Sequence, residues 1–467
     1  MFKRSYLVAA LLVLLAFAIP IEHKYDKLFR FYSLTLIPQG LEVSQSYEKK
    51  IYFYVSDLIA LTLFLIGLLW YRIPLKKLFG NPLWIVFICA LLSVLISPFF
   101  NYPIPYIRLL QLFTPVALFS FISNAFSNEN RSKLTRCISI GLVSAGLFQS
   151  FVAIAQYFNQ GPIGLRLLGE TNQMAIFTIH DGSRWLIDQI LKRTADTSVV
   201  IRAAGTFPHS NVFGGFMVFS IILTYALLLQ STKRNWLLTI ALPFQFFAMC
   251  LSFSRAALFA WALSTFIWFA MMIYQRGFRD QKLLQIGAVV ALIFTCTSLL
   301  LYSQYSHRGG VVSYTKLSED SDNIRKFHQK AALTILKEHP LFGLGFSQFS
   351  ERAPNYFPEN TRACVRSTAP HNIFLFLACE TGLISLAAFL FWIATLFYSF
   401  YKSEKTVESI TFFSLLIGFI FIGFCDFYPI LFQHGKLMFF LIGALLCANT
   451  KMRIYNSSQH VIKRSAT

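Results

Sequence analysis

Apolar runs long enough to cross about 30 Å of hydrocarbon recur from one end of the chain to the other, and that recurrence removes most folds from consideration. Twelve runs are read, at roughly 5–20, 51–70, 82–99, 105–123, 137–157, 205–229, 236–252, 256–274, 283–302, 371–400, 408–425 and 434–450. Of the 467 residues 56% are hydrophobic and only 13% charged, far less polar surface than a soluble chain of this length needs to cover its core. The expected fold is all-α: a polytopic membrane protein of about twelve transmembrane helices.

Basic residues in the short connections set the orientation. Lys3, Arg4, Arg72, Lys76, Lys77, Arg131, Lys133, Arg136, Lys233, Arg234, Arg276, Arg279, Lys282, Lys402, Lys405, Lys451, Arg453, Lys463 and Arg464 fall on one side, which the positive-inside rule makes cytoplasmic, as it does both termini. The formal charge of +20 is then mostly topology signal and contact with anionic lipid, not nucleic-acid binding. The first run also resembles a secretory signal, with Ala16, Phe17 and Ala18 at its end; an uncleaved anchor gives the consistent inside-inside topology and is the expectation. Seven of eight Cys lie in or beside apolar runs and only Cys364 lies in a large external loop, so no disulfide framework or zinc spacing is visible.

The chain divides into N-terminal helices over 1–204 with external loops at 21–50 and 158–204, central helices over 205–302, a large external loop over 303–370, and C-terminal helices with a cytoplasmic tail over 371–467. In the large loop, SEDSDNIRKFHQKAALTILKEHPLFGLG predicts an amphipathic surface helix over 322–338. Ser318 to Asp322 place acids at the positive end of its dipole, Ile324, Phe327, Ala331 and Ile335 form the apolar stripe, and Pro340 with Gly343 stop it.

The polar residues that bear chemistry sit at helix mouths. His371 starts the tenth run, with Pro370 suited to a first turn and Thr368 or Asn372 available to cap. A histidine there serves as a structural helix end, or as a general base that takes a proton from a hydroxyl held beside it. His209, in FPHSN, repeats the pattern. Arg202, Arg255 and Arg325 are not required outside by the positive-inside rule; they snorkel to the interface, or they grip an anion such as phosphate through the guanidinium fork. Glu380, within the tenth run, has to face protein or water and suits either a proton relay or helix packing. Asp320 and Asp322 form an Asp-x-Asp pattern that helix capping explains more simply than a metal, and Gly343-Leu344-Gly345 is a turn without a flanking βαβ unit. The sequence offers no Walker loop and no HExxH motif, so no cofactor and no metal are expected.

Four segments in order, RAAGTFPHSNVFGGF, SFSRAALFAW, NIRKFHQKAALTILKEHPLFGLGFSQF and PHNIFLFLACETGLISL, resemble the O-antigen ligase and polymerase superfamily of bacterial membrane glycosyltransferases. The resemblance spans roughly residues 200 to 390. It implies transfer of a glycan from undecaprenyl diphosphate to an acceptor hydroxyl, that of lipid A-core in a ligase, on the periplasmic face of the inner membrane, without nucleotide sugar or metal. It also implies that the family's essential histidine is His371 and its essential arginines Arg202 and Arg325, with Arg255 in the Ser-Arg turn. Catalysis is therefore expected at His371, Arg202 and Arg325, pyrophosphate binding at Arg202, Arg255 and Arg325, and support from His209, Asn372 and Glu380. Ser385 and Ala256 depart from the family pattern, both as small side chains. Alternative readings are a repeat-unit polymerase, a protein O-oligosaccharyltransferase and, more distantly, a lipid or polysaccharide transporter.

Overall fold

The computed structural model describes residues 2–21, 23–24, 52–97, 103–125, 128–171, 174–178, 199–232, 235–308, 316–357 and 369–450. Cys364, Thr368, most of the 21–50 loop, Lys233, Arg234 and the basic tail from Lys451 lie outside the described residues, as do the side chains of Asp320 and Asp322. Helices coincide with all twelve apolar runs: α1 (Phe2–Ala18), α2 (Val55–Leu69), α4 (Leu83–Ile96), α5 (Pro103–Ala125), α6 (Asn128–Asn159), α7 (Ser210–Gln230), α8 (Trp236–Leu251), α9 (Arg255–Arg276), α10 (Gln281–Arg308), α13 (Ile373–Lys402), α14 (Val407–Cys425) and α16 (Gln433–Thr450). Short helices α3 (Leu75–Phe79), α12 (Phe349–Arg352) and α15 (Tyr428–Leu431) and the loop helix α11 (Lys316–Glu338) complete the set.

Among the described residues, seven helices are long and apolar enough to cross a membrane, and four more apolar ones are shorter: Tyr6–Ala18, Val55–Leu69, Leu83–Ile96 and Trp236–Leu251. The count of twelve spans is thus coarser in the structure than in the sequence. In α16 the reason is visible, since it opens with Gln433, His434 and Lys436, all buried in protein. Among the described residues two departures from an all-helical chain occur, both two-stranded antiparallel ribbons: β1 (His23–Lys24) with β2 (Tyr52–Phe53), and β3 (Ile176–Thr178) with β4 (Val199–Ile201).

Packing runs from α7 outwards. Its apolar window is 94% buried, against 17% for α10, so α7 is a core helix and α10 turns Leu292, Leu299 and Tyr302 outwards. Helix α7 packs against α6, α8, α9 and α14, while α9 pairs with α14, α16 with α5, α1 with α6 and α4 with α13. Small residues permit the close crossings: a Cβ on Gly418 of α14 would stand 2.1 Å from Ser264 Oγ of α9, whose hydroxyl donates to Ser414 O at 3.0 Å.

The loop helix begins at Lys316, six residues before the start expected from the acids, and buries Ala331, Ala332 and Ile335 with contacts to α13. It meets α13 where that helix breaks. Gly382 has φ 85° and ψ 172°, a conformation essentially confined to glycine, so α13 is two helical pieces. The turn after α11 docks into the break: Leu344 N donates to Cys379 O (2.9 Å), Gly345 N to Glu380 O (3.1 Å), and Leu383 N to Pro340 O (2.8 Å). Backbone groups freed by the break are thereby paired again, as burial demands.

Candidate active site

Arg202 is placed by three elements. It follows β4, its backbone N–H donates to Ala175 O (2.8 Å), and its Nε donates to Ser252 O (2.9 Å) in the tight turn from α8 to α9. Its Nη2 donates to Asn211 Oδ1 at 2.5 Å, and the side chain is 6% exposed. Asn211 lies in the first turn of α7. His209 caps that helix, its Nδ1 accepting from Asn211 N at 3.1 Å, so the second Pro-His pair serves the helix end through the ring nitrogen.

The amide of Asn211 reaches further. Its Nδ2 donates to Asp426 Oδ2 at 2.7 Å, and Asp426 Oδ1 accepts from Phe427 N at 2.8 Å. Asp426 ends α14 and is 4% exposed. Phe427 then presents its ring to the His371 imidazole, centroids 5.0 Å apart at 73°.

His371 precedes α13, and Asn372 caps that helix, its Oδ1 accepting from Phe374 N and Leu375 N at 3.0 Å each. The imidazole is half-buried, and Nδ1 is buried without a hydrogen-bond partner among the described residues. Burial holds its pKa below the ordinary histidine value; the Asp426 charge pulls it up and the Arg325 charge pushes it down. A neutral imidazole at pH 7 follows, the form a general base requires.

Arg325 comes from α11. It is half-buried, its field reaches His371 and Cys425, and its Nε is buried with no hydrogen-bond partner among the described residues. A guanidinium N–H left in that state marks a place for an acceptor from outside the chain. One turn on, His328 is fully buried against Phe349 (6.3 Å) and edge-on to Phe357 (5.4 Å); burial first, then the neighbouring His371, push its pKa down to about 4. It anchors the helix that carries Arg325.

Of the residues expected from sequence, Arg202, Arg325 and His371 thus gather around Asp426, and His209 and Asn372 set the helix ends beside them. Arg255 opens α9 on the turn that receives Arg202, but its side chain is exposed. Glu380 lies elsewhere: its Oε2 accepts from Ser347 N (2.9 Å) and Oε1 from Phe349 N (3.1 Å), so it holds the turn docked in the α13 break. Asp426 and Asn211 were not singled out in sequence. The signal for Asp426 was present, a lone acid ending an apolar run in GFCDFYP.

A second buried polar layer was also missed. Thr114 Oγ1 donates to Asp57 Oδ1 (2.7 Å), Gln433 Nε2 donates to both Thr114 Oγ1 (2.9 Å) and Asp57, and Lys436 lies in the field of Arg108, Asp57 and Glu380. Each of these charges interrupts an apolar run. Among the described residues no group of three His, Cys, Asp or Glu side chains is arranged to hold a metal ion.

No curated protein matches the chain. Residues 238–390, the stretch containing Arg255, Arg325, His371 and Glu380, match the family model described as O-antigen ligase, and that match supports the O-antigen ligase superfamily for this chain.

Proposed function

We propose that the chain is an O-antigen ligase-like glycosyltransferase, moving a glycan from undecaprenyl diphosphate to an acceptor hydroxyl of lipid A-core at the periplasmic face of the bacterial inner membrane, with both termini cytoplasmic. The observation that carries this reading is the convergence of Arg202, Arg325 and His371 on Asp426 at the mouths of α7, α13 and α14. A lipid-linked donor keeps its polyprenyl tail in the bilayer and its diphosphate at the interface, so its chemistry belongs at helix mouths.

In the step envisaged, the acceptor oxygen forms a bond to the anomeric carbon while the bond from that carbon to the diphosphate oxygen breaks. His371 takes the hydroxyl proton, and the field of Asp426 supports the imidazolium that results. Negative charge grows on the departing diphosphate, where Arg202 and Arg325, with Arg255 at the rim, stabilise the transition state more than the ground state. Direct displacement inverts the anomeric centre. Helix α11, which carries Arg325, covers the glycan from the aqueous side.

Surface polysaccharide from a strain lacking the gene tests the acceptor. Core without any O-antigen supports the ligase; core bearing one repeat identifies a polymerase; an intact ladder with a lost glycoprotein identifies protein transfer. His371→Ala is expected to remain in the membrane and to let undecaprenyl-linked glycan accumulate. Normal transfer by that variant removes His371 from the mechanism, and lipid export without transfer in proteoliposomes identifies a transporter.

A further inference from the structure

We propose that the loop after α6, residues 160–170, is an interfacial anchor that lays Ile163 and Leu167 into the lipid leaflet at the end of α6 opposite its basic residues. Helix α6 carries Arg131, Lys133 and Arg136 near its start and runs to Asn159, and its apolar run closes at residue 157. The loop turns back at once. Gly161 N donates to Gln156 O at 3.2 Å, and Gln156 Nε2 donates to Glu170 Oε1 at 2.8 Å, so both ends of the loop are tied to the last turn of α6 at the hydrocarbon boundary. Between them, in GPIGLRLLG, Arg166 is the one side chain that is not apolar. Leu167 is nevertheless 85% exposed and Ile163 38% exposed.

The fold imposes this exposure. The Glu170 carboxylate is buried beneath the loop, where Oε1 also accepts from Ile163 N (2.8 Å) and Oε2 accepts from Leu165 N (2.6 Å). Gly164 and Gly169, at φ 95° and 93°, supply the left-handed turns on either side of a single 3₁₀ turn, Arg166–Leu168. Backbone N–H groups are thereby gathered inwards, and the apolar side chains are left outside. Such a tip is ordered before anything meets it, so little conformational entropy is lost on contact. Water is a poor neighbour for it. Acyl chains beside the end of α6 cover Ile163 and Leu167, while the longer Arg166 reaches back to headgroup phosphate. Gln156 also accepts from Ala204 N (3.2 Å) and Gly205 N (2.9 Å) and donates to Gly205 O (2.8 Å), so the anchor and the segment after Arg202 share one fixed support. The lipid contact itself does not depend on the transfer reaction.

The test places a fluorescent amino acid, acridonylalanine, at position 167 of the full chain in nanodiscs of phosphatidylethanolamine and phosphatidylglycerol. Quenching by lipids that carry a doxyl group near the headgroup is compared with quenching by aqueous iodide. The same residue at position 299, where Leu299 is 75% exposed on α10, gives the reference for a lipid-facing site, and the free amino acid gives the reference for water. At 167 the doxyl lipid is expected to quench about as strongly as at 299, and iodide roughly ten-fold less than it quenches the free amino acid. Iodide quenching equal to that of the free amino acid, with no effect of the doxyl lipid, would place the loop in water and overturn the proposal. Shielding from both quenchers would mean that protein covers the loop, and overturns it equally. Should the protein altered at 167 fail to accumulate, the same measurement at position 163 decides, since Ile163 shares the exposed tip.

Discussion

Replacing Glu380 by alanine is expected to release the turn that docks into the α13 break. The carboxylate is 1% exposed and accepts two backbone hydrogen bonds, from Ser347 N at 2.9 Å and Phe349 N at 3.1 Å. Hydrogen bonds to a charged group contribute about 1.5–3 kcal/mol each, so the pair stabilises the docked turn by about 3–6 kcal/mol against local opening. At about 1.4 kcal/mol per decade, amide exchange at residues 343–349 should accelerate by roughly 10²- to 10⁴-fold in Glu380→Ala. Glu380→Gln keeps one carbonyl acceptor and turns an amide N–H towards the other donor. It should lose about one bond, hence roughly 10- to 10²-fold in protection. Hydrogen-exchange mass spectrometry of the protein in nanodiscs reads both variants, and transfer activity is measured beside it. Loss of transfer should follow loss of protection, alanine worse than glutamine. Unchanged exchange in Glu380→Ala would refute the anchoring role. Abolished transfer in a Glu380→Gln protein whose turn stays protected would instead restore the proton-relay reading.

Two further outcomes follow from the same geometry. Gly382→Ala should fail to accumulate as a folded protein, because a Cβ would stand 1.8 Å from Leu341 O at a positive φ and the clashing atoms are backbone; monodisperse elution at normal yield would contradict this. Asp426→Asn and Arg325→Gln should move the acid limb of transfer in opposite directions. In the proposed mechanism the His371 base works above its pKa and is lost as pH falls through it. Removing Asp426, which raises that pKa, extends activity to lower pH, whereas removing Arg325, which lowers it, ends activity at higher pH. Limbs that coincide with that of the unaltered protein would mean that the imidazole is not the titrating base.

The helices were legible because hydrophobicity is a local property: every apolar run became a helix, even where a run such as 434–450 is buried in protein rather than facing lipid. The break in α13 was less legible. ACETGLISL reads as continuous apolar helix, and only the arrival of Pro340 and Leu344 from the preceding loop gives the freed backbone groups partners. The short ribbon of β3 and β4 escaped notice for the same reason, since three residues a side carry no usable period. At the site, the arginines and His371 were recognisable one at a time from their cost near hydrocarbon and from their motifs. What joins them was not, because Asn211 and Asp426 are 215 residues apart in the chain. A hydrogen bond of that span is a product of packing α7 against α14.

Two buried charge layers now invite comparison, and their balance separates them. Around Glu380, the Lys436 cation lies in the field of the Asp57 and Glu380 carboxylates, Arg108 donates to Gln111, and both acids are taken up by donors of the chain. Such a layer is complete without a ligand, and removing any one member should cost more than the layer contributes as a whole. Around His371, Asp426 accepts from Asn211, and Asn211 accepts from Arg202. The Arg325 Nε and His371 Nδ1 remain buried and unpartnered. A buried guanidinium N–H without an acceptor is costly until one arrives to meet it. An acceptor from outside the chain that reached the Arg325 Nε beside His371 would complete this layer, and the diphosphate headgroup of the donor proposed above has that chemistry.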